Sequence, residues 1–337
     1  MNLKMIAKQA GVSTATVSNV INGNHHKVSQ ETIRKVQQII QENDYKPNAT
    51  ARSLASKRSR IIGVVIPHIS EGENFFVNPY NAHMLAVLEN YIRNQGYYLM
   101  IRCVGICTDI IPLFSSWNVD GVIFFGAYKE DIGEIRSRLN VPTIYIDTYA
   151  EELGIDNVGI DDYKGGYLAA GYLLGKGHRR LAFVGPSVDF PGVIRERYRG
   201  FCDACRERGV ELPEGHHFGA NTLYQSGVTA GQQIAMSEKH FTAVVAMSDI
   251  VAFGVMEGLR LCGRNVPVDV SVIGFDDLPE CQYSNPKLTT ISQNVERKAL
   301  MVGESLFRLI RQETDTNINE TLDVALVERQ SVRDINT

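Results

Sequence analysis

The sequence predicts a small all-α headpiece followed by a two-lobed α/β core of parallel sheets with helices on both faces. Residues 3–45 carry apolar side chains at helical spacing. From residue 61 onward, short apolar runs alternate with amphipathic segments, a pattern typical of parallel strands joined by helices. Ten or more candidate strands favour two sheets over one.

The charge of the chain is unevenly distributed. The net charge is −4, yet residues 1–60 hold ten Lys and Arg against three acids, so the other residues together carry −11. A basic end on an acidic body favours contact with a polyanion, and a merely solvated basic surface is the alternative. Six scattered cysteines and an N-terminal "MNLKMIAKQAG" without an apolar leader predict a cytoplasmic protein with no membrane segment.

Three short helices are predicted in the headpiece. The first covers 4–9, with Asn2 placed to cap it. The second covers 13–22. The third begins after Ser29, where "SQET" resembles an N-cap, and runs through "IRKVQQIIQEN", whose apolar residues form one stripe. We expect "YKP" (45–47) to end it.

The stretch "VSTATVSNVING" (12–23) has low intrinsic helicity, but its apolar residues Val17 and Val20 fall at helical spacing. Gly11 stands where a turn requires positive φ, Ala7 permits close approach of the first helix, and Ser13 can cap the second. This is the pattern of a helix-turn-helix. Its second helix presents short hydroxyl side chains, which suit phosphates and base edges in the major groove.

Residues 47–60 form a polar, basic segment in which Leu54 is the only large apolar residue. Such a segment cannot build a core alone, so we expect a linker or a hinge helix that forms on a partner. The predicted domains are therefore a headpiece over 1–46, a hinge over 47–60 and a core over 61–337.

The predicted core strands include 61–67, 97–104, 120–126, 142–147, 180–186, 242–249 and 270–277. Helices separate most of them, such as 80–95, 164–177, 192–208, 225–237, 249–262 and 294–312. Ligands of parallel sheets bind beyond the carboxyl ends of the strands. Several runs end there in polar residues, among them Asp147, Ser248 and Asp276.

The chain resembles the lactose/galactose-repressor family of bacterial transcription regulators over nearly its whole length. The resemblance rests on "AGVSTATVSNVING", "YKPNATARSL", "RYRGF" (197–201), "SVIGFDD" (271–277) and "LTTISQ" (288–293). It implies a cytoplasmic, nucleoid-associated homodimer with hinge helices and a core like a periplasmic sugar-binding protein. The chain would cross between lobes three times, with lobe one at about 61–160 and 293–321 and lobe two at about 161–292 and 322–337.

The resemblance also implies roles in binding a pseudo-palindromic double-stranded operator. Base edges would be read by Thr14, Ala15 and Asn19. Phosphate-contacting or orienting roles fall to Ser13, Thr16, Ser18, Asn22, Tyr45 and Asn48. Arg52 and Leu54 lie in the hinge, where Leu54 matches a leucine wedged into the minor groove. The alternatives are hydroxyls that only cap helices and a Leu54 buried in a fixed linker.

For a small-molecule effector, the resemblance points to Asp276 as acceptor of sugar hydroxyl groups, to Arg197 as the grip on a polar group, and to Ser248. Further candidates are Tyr80, Asp147 and Gln293. Carboxylate and guanidinium together suit a polyhydroxylated ligand, so a neutral saccharide is expected, with a purine or a phosphorylated metabolite as alternatives. Arg197 could instead face solvent, and Asp276 could be a buried cap. Thr222 stands where some members stack an aromatic ring, and wall candidates are Phe75, Phe76, Phe190 and Tyr224.

These observations predict a sequence-specific DNA-binding regulator, a repressor, whose operator affinity an effector controls. No Walker motif, GxSxG or HExxH occurs, so we expect no catalytic residue, cofactor or metal. A solute-binding protein for sugar transport and an enzyme fused to a DNA-binding domain are the alternatives. The sequence does not distinguish induction from corepression.

Overall fold

The structure, a computed structural model, describes residues 2–21, 23, 25–45, 58–67, 75–189, 192–314 and 316–336. The chain divides into two compact units, Met1–Ser59 and Arg60–Thr337. The first contains the headpiece and the second contains the core.

The headpiece contains three helices, α1 (Leu3–Ala10), α2 (Thr14–Ile21) and α3 (Gln30–Glu42). Their predicted caps are confirmed. Met5 N donates to Asn2 Oδ1 at 3.0 Å, and Thr32 N donates to Ser29 Oγ at 3.3 Å. Each cap satisfies a backbone N–H that the first helical turn leaves without an intrahelical acceptor.

The turn between α1 and α2 has the predicted chemistry. Gly11 adopts φ +71°, and Thr16 N donates to Ser13 Oγ at 3.1 Å, which caps α2. Ile6, Val17 and Val36, one from each helix, are fully buried against one another in a single apolar core. Burial of each such side chain stabilises the fold by about 1.5–3 kcal/mol, so packing compensates for the poor helix propensity of α2.

The core unit alternates strands and helices. Its strands are β1 (Ile61–Pro67), β2 (Tyr98–Val104), β3 (Gly121–Phe124), β4 (Thr143–Ile146), β5 (Asn157–Ile160), β6 (Leu181–Gly185), β7 (His217–Gly219), β8 (Ala243–Ala246), β9 (Ser271–Asp276), β10 (Thr289–Ser292), β11 (Asn319–Leu322) and β12 (Ala325–Val327). Its helices are α4 (Pro79–Asn94), α5 (Ile111–Trp117), α6 (Lys129–Arg138), α7 (Asp162–Gly175), α8 (Val193–Glu207), α9 (Tyr224–Met236), α10 (Asp249–Leu261) and α11 (Val295–Ile310).

The strands form two six-stranded sheets. The first has the order β11-β5-β4-β3-β1-β2, with every pair parallel, and belongs to lobe one. The second has the order β12-β10-β9-β8-β6-β7 and belongs to lobe two; β12 alone pairs antiparallel. The chain passes between the lobes after β5, after β10 and after β11.

Helices cover both faces of the first sheet because neighbouring residues of each strand point to opposite sides. Val64 packs with Leu88 of α4 and Leu306 of α11, whereas Val65 packs with Phe114 of α5 on the other face. All five of these side chains are fully or almost fully buried. The predicted doubly covered parallel sheet is confirmed in lobe one.

Lobe two repeats this arrangement. Val244 of β8 packs with Val255 of α10 on one face, and Val245 packs with Leu173 of α7 and Phe201 of α8 on the other. Near-continuous apolar runs in these strands are therefore explained by burial on both sides. No helix in the described part of the chain combines the length and apolar character that a bilayer span requires.

Candidate functional site

The first candidate surface is the face of α2 that does not pack into the headpiece core. Thr14 and Ala15, at the start of this helix, are exposed, and Asn19 is half-buried one turn further on. The Ser13 and Thr16 hydroxyl groups lie 3.0 Å apart and are hydrogen-bonded. The exposed residues at the helix start leave a surface of small side chains, which permits close approach of a partner.

The other predicted DNA-contacting residues differ in placement. Ser18 is half-buried, and Tyr45 is half-buried and packs against the headpiece core. Four predicted residues lie outside the described residues: Asn22, Asn48, Arg52 and Leu54.

The second candidate site is a cleft of about 320 Å³ between the two lobes of the core, called the interlobe cleft below. It is lined by all six side chains that the sequence suggested for an effector: Tyr80, Asp147, Arg197, Ser248, Asp276 and Gln293. These residues come from distant parts of the chain and meet because strand ends of both sheets face the cleft. Lobe one supplies Tyr80 and Asp147, lobe two supplies Arg197, Ser248 and Asp276, and Gln293 lies in the second crossing.

Arg197 is buried in the wall of the interlobe cleft, which rules out a solvent-facing role. Its Nε donates to Asp162 Oδ1 at 2.7 Å, and its Nη1 donates to the Met247 carbonyl at 2.6 Å. The guanidinium carbon also lies 3.5 Å from the centre of the Phe275 ring. Asp162 additionally accepts from the Tyr149 hydroxyl at 2.6 Å. Burial acts to raise the pKa of Asp162, and the Arg197 charge opposes that effect.

Two glycines allow α7 and α8 to approach closely enough for this ion pair. A Cβ atom on Gly166 would lie 1.8 Å from the Arg197 carbonyl oxygen. A Cβ on Gly200 would lie 2.0 Å from the Tyr163 carbonyl oxygen. Both neighbours are backbone atoms that cannot move aside independently of their helices. The helix crossing thus fixes the position of Arg197.

Asp276 ends β9 with φ +119°, a conformation that Asp and Asn tolerate better than most residues. Its Oδ1 accepts from Gln293 Nε2 at 2.5 Å. Burial, together with the Asp249 carboxylate, raises the pKa of Asp276 to about 8. The helix cap in this part of the cleft is a different residue: Ser248 caps α10, and its Oγ accepts from Val251 N at 3.4 Å.

Lys298 completes the polar cluster, and the sequence prediction missed it. Its side chain on α11 is completely buried, and its Nζ donates to Tyr80 Oη at 3.1 Å, to Gln293 Oε1 at 3.0 Å and to Asp147 Oδ2. Burial acts to lower the pKa of Lys298, but Asp147, Tyr80 and Asp162 together outweigh burial and raise it. A detectable signal did exist, because this lysine lies in the core-facing apolar stripe of α11, beside Ala299.

The apolar wall of the interlobe cleft is partly as predicted. Phe75 lines the cleft and meets Phe125 edge-on, with ring centres 5.5 Å apart, and Thr222 also lines it. Phe76 and Tyr224 are largely exposed and are not among the lining residues, so their suggested role was wrong. Phe190 lies outside the described residues.

The cleft therefore combines a carboxyl acceptor, guanidinium donors, a hydroxyl group and apolar walls, which is the composition of a small-molecule binding site. Within the described residues, no group of three or more His, Cys, Asp or Glu could hold a metal ion.

Comparison with protein families gives two matches. Residues 2–48 match the model described as "Bacterial regulatory proteins, lacI family", and residues 170–332 match "Periplasmic binding protein-like domain". The transcriptional regulator RegA of Clostridium saccharobutylicum is 30% identical over 98% of both chains. The transcriptional repressor PurR of Vibrio vulnificus is 31% identical over 99% of both, and catabolite control protein A of Streptococcus mutans is 32% identical over 91% of both.

Solved structures agree in fold. The Lac repressor dimer bound to operator and the anti-inducer ONPF matches with a TM-score of 0.87 at 24% identity, over 99% of both chains. A CelR–cellobiose complex matches with a TM-score of 0.73 at 26% identity, over 98% of this chain and 99% of that one. A ribose-bound regulator from Enterococcus faecium matches with a TM-score of 0.71 at 26% identity, over 82% of this chain and 100% of that one. The chain therefore belongs to the lacI family of bacterial regulatory proteins and is a DNA-binding transcription regulator rather than an enzyme.

Proposed function

We propose that this regulator is a cytoplasmic, nucleoid-associated homodimer that represses transcription from a pseudo-palindromic operator, and that a neutral saccharide in the interlobe cleft controls its operator affinity. The carrying observation is the cleft itself, where donors and acceptors from both lobes converge on one space. We assign operator reading to a headpiece over 1–46, pairing on DNA to a hinge over 47–60, and effector binding and dimerisation to the core.

The charge balance of the interlobe cleft supports a neutral ligand. Arg197 is the only Lys or Arg among the described lining residues, and it already pairs with Asp162. The buried ammonium behind the cleft, Lys298, pairs with Asp147. A phosphorylated ligand would therefore bring charge into a partly apolar site whose cations are already neutralised, which costs desolvation free energy.

Hydroxyl groups suit the polar groups that remain. A sugar hydroxyl can donate to Asp276 and accept from the guanidinium N–H groups of Arg197 that its two hydrogen bonds leave over. The C–H faces of a sugar ring suit the apolar wall of Phe75, Ile194 and Leu223. Relatives solved with cellobiose and with ribose support the same ligand class.

On the DNA side, the proposal gives base reading to Thr14, Ala15 and Asn19, and phosphate contacts to Ser13, Thr16, Ser18 and Tyr45. The exposure of Thr14 and Ala15 at the start of α2 supports it, because small exposed residues permit a helix to sit deep in the major groove. The roles of Asn22, Asn48, Arg52 and Leu54 stay predictions from the resemblance.

A ligand that contacts both lobes binds one lobe arrangement more tightly than another. This differential affinity shifts the equilibrium between arrangements and thereby the ability of two hinges to pair on an operator. The direction in which the ligand shifts this equilibrium decides between induction and corepression.

The test is a fluorescence-anisotropy titration of the full-length protein against palindromes from its genome and against random duplex, at two salt concentrations. Each titration is repeated with D-ribose, cellobiose, D-glucose, ribose 5-phosphate and hypoxanthine. We expect operator affinity to change with at least one neutral sugar, and this response to be lost in Asp276→Asn but retained in the matched exposed variant Asp323→Asn. A response to ribose 5-phosphate or hypoxanthine alone would overturn the saccharide assignment.

A further inference from the structure

Three polar side chains of the interlobe cleft converge on one ammonium group buried behind them. Lys298 Nζ contacts Tyr80 from α4, Asp147 from the end of β4 and Gln293 from the second crossing. Lys298 itself is not among the cleft-lining residues. Its contacts with a ligand are therefore indirect and pass through these three side chains.

The contact with Gln293 has a consequence for the orientation of its amide. An ammonium group has three N–H donors and no acceptor, so it can only face the oxygen of an amide. Gln293 Oε1 lies 3.0 Å from Lys298 Nζ, which leaves the NH₂ group facing the other way. There Nε2 donates to Asp276 Oδ1 at 2.5 Å. The chain Lys298–Gln293–Asp276 thus connects α11 of lobe one to β9 of lobe two.

We propose that Lys298 is a positioning residue of the interlobe cleft, whose ammonium group sets the orientation of the Gln293 amide and thereby keeps an N–H donor on Asp276. Naming the cleft as an effector site rests on the proposed function; the positioning itself does not. Without Lys298 the amide can turn, and its oxygen would then face the Asp276 carboxylate. The ionised form of Asp276 would be disfavoured.

Other titratable groups change the pKa values at the two ends of this hydrogen-bonded series. Tyr80, Asp147 and Asp162 raise the pKa of Lys298. Asp249 raises the pKa of Asp276, whereas Arg197 and Lys298 lower it. Lys298→Met removes both the amide orientation and a positive charge. The double variant Lys298→Met with Asp147→Asn removes a charge of each sign, so it separates the two effects and avoids leaving a carboxylate unpaired.

The experiment follows the titration of the Asp276 carboxyl by ¹³C NMR in the ligand-free, full-length protein, with the signal assigned by its loss in Asp276→Asn. We expect its midpoint to rise by about one pH unit in Lys298→Met and by less in the double variant. Lys164→Met is the matched control, because this lysine pairs with Asp323 at the surface. In this variant the Asp276 midpoint should equal that of wild type.

If Lys298 only stabilised the fold, its replacement would lower the free energy of unfolding and leave the Asp276 midpoint unchanged. An unchanged midpoint in the folded double variant therefore overturns the proposal, because a rise confined to Lys298→Met reflects only the lost charge. Calorimetric titration of wild type with D-ribose and cellobiose runs in parallel. Failure of both sugars to bind counts against the saccharide assignment, whereas the NMR midpoint still decides the role of Lys298.

Discussion

Arg197 and Asp162 form an ion pair across the contact of α8 and α7, with 2.7 Å between Nε and Oδ1 and side-chain exposures of 8% and 0%. The pair lies in the wall of the interlobe cleft and also anchors the Met247 carbonyl and the Tyr149 hydroxyl. Because both charges are buried, each depends on the other for compensation. The integrity of lobe two and the shape of the cleft therefore depend on the same contact.

Asp162→Asn should lower the free energy of unfolding by about 3–5 kcal/mol, because it leaves the Arg197 charge buried and uncompensated. Urea denaturation followed by circular dichroism measures this. Glu257→Gln is the control, since it breaks an exposed pair with Arg260 and should leave stability unchanged. Equal stability of Asp162→Asn and wild type would contradict the prediction.

Gly200→Ala should destabilise the core, because its new Cβ would lie 2.0 Å from a backbone oxygen of α7 and would push the helices apart. We expect a loss of at least about 2 kcal/mol on denaturation and weaker ligand binding through displacement of Arg197. Gly133→Ala on α6 is the control. Apart from the adjoining backbone of its own helix, nothing lies within 4 Å of the added Cβ, so alanine should stabilise the helix by about 0.5–1 kcal/mol. A neutral Gly200→Ala would show that the crossing adapts.

Asp276→Asn should become more stable than wild type as pH rises. Burial raises the pKa of Asp276 to about 8 in the folded protein, whereas the unfolded chain has the usual value near 4. The folded state therefore holds a proton that the unfolded state releases, and wild type loses stability as pH rises from about 4 to about 8.

Urea denaturation at pH 5, 7 and 9 measures this difference, which should be small at pH 5 and reach its full size near pH 9. Asp323→Asn serves as the contrast. The hydrogen bond from Lys164 lowers the pKa of the Asp323 carboxyl. Removing this carboxyl should therefore give no gain in stability that grows with pH. A constant difference for Asp276→Asn across the three pH values would refute the prediction.

Asn19→Ala should change the base preference of the protein at one position of each half-site, because an amide can bind adenine with two hydrogen bonds. Selection from random duplexes followed by sequencing measures the preference. Gln38→Ala is a control in the same headpiece, since the Gln38 amide donates to Glu42 on the exposed side of α3. If both variants select the wild-type sequence, Asn19 does not read bases.

Locally determined features of the fold were predicted well. The caps at Asn2, Ser13 and Ser29 and the positive φ of Gly11 depend on residues within one turn, and all four are confirmed. The apolar runs of β1, β3, β4, β6, β8 and β9 were also identified. Edge strand β11 was missed, because "NETL" is largely exposed and has no apolar pattern. Its strand conformation comes from pairing with β5.

In the candidate site, likewise, residues within local sequence motifs were predicted, whereas pairings between distant residues were not. Asp276, Arg197 and Gln293 could be suggested because they stand in recognisable sequence blocks. Lys298 was marked only by its place in an apolar stripe. Its role and that of Asp162 could not be inferred, because their partners lie far away in sequence: Asp147 lies 151 residues from Lys298, and Asp162 lies 35 from Arg197. Residue types alone do not specify such pairs, since an acid at a helix start has an ordinary explanation in the helix dipole.

Both sheets are completed by neighbouring segments late in the chain. β11 closes the edge of the first sheet beside β5, and β12 closes the second beside β10. Ser331 then bonds to the Val272 carbonyl and the Thr289 amide. During synthesis, neither lobe can acquire its full set of strands until these segments have emerged from the ribosome. A message truncated before codon 319 would thus leave the largely buried strands β5 and β10 as sheet edges, exposed to pairing with other chains and to proteases.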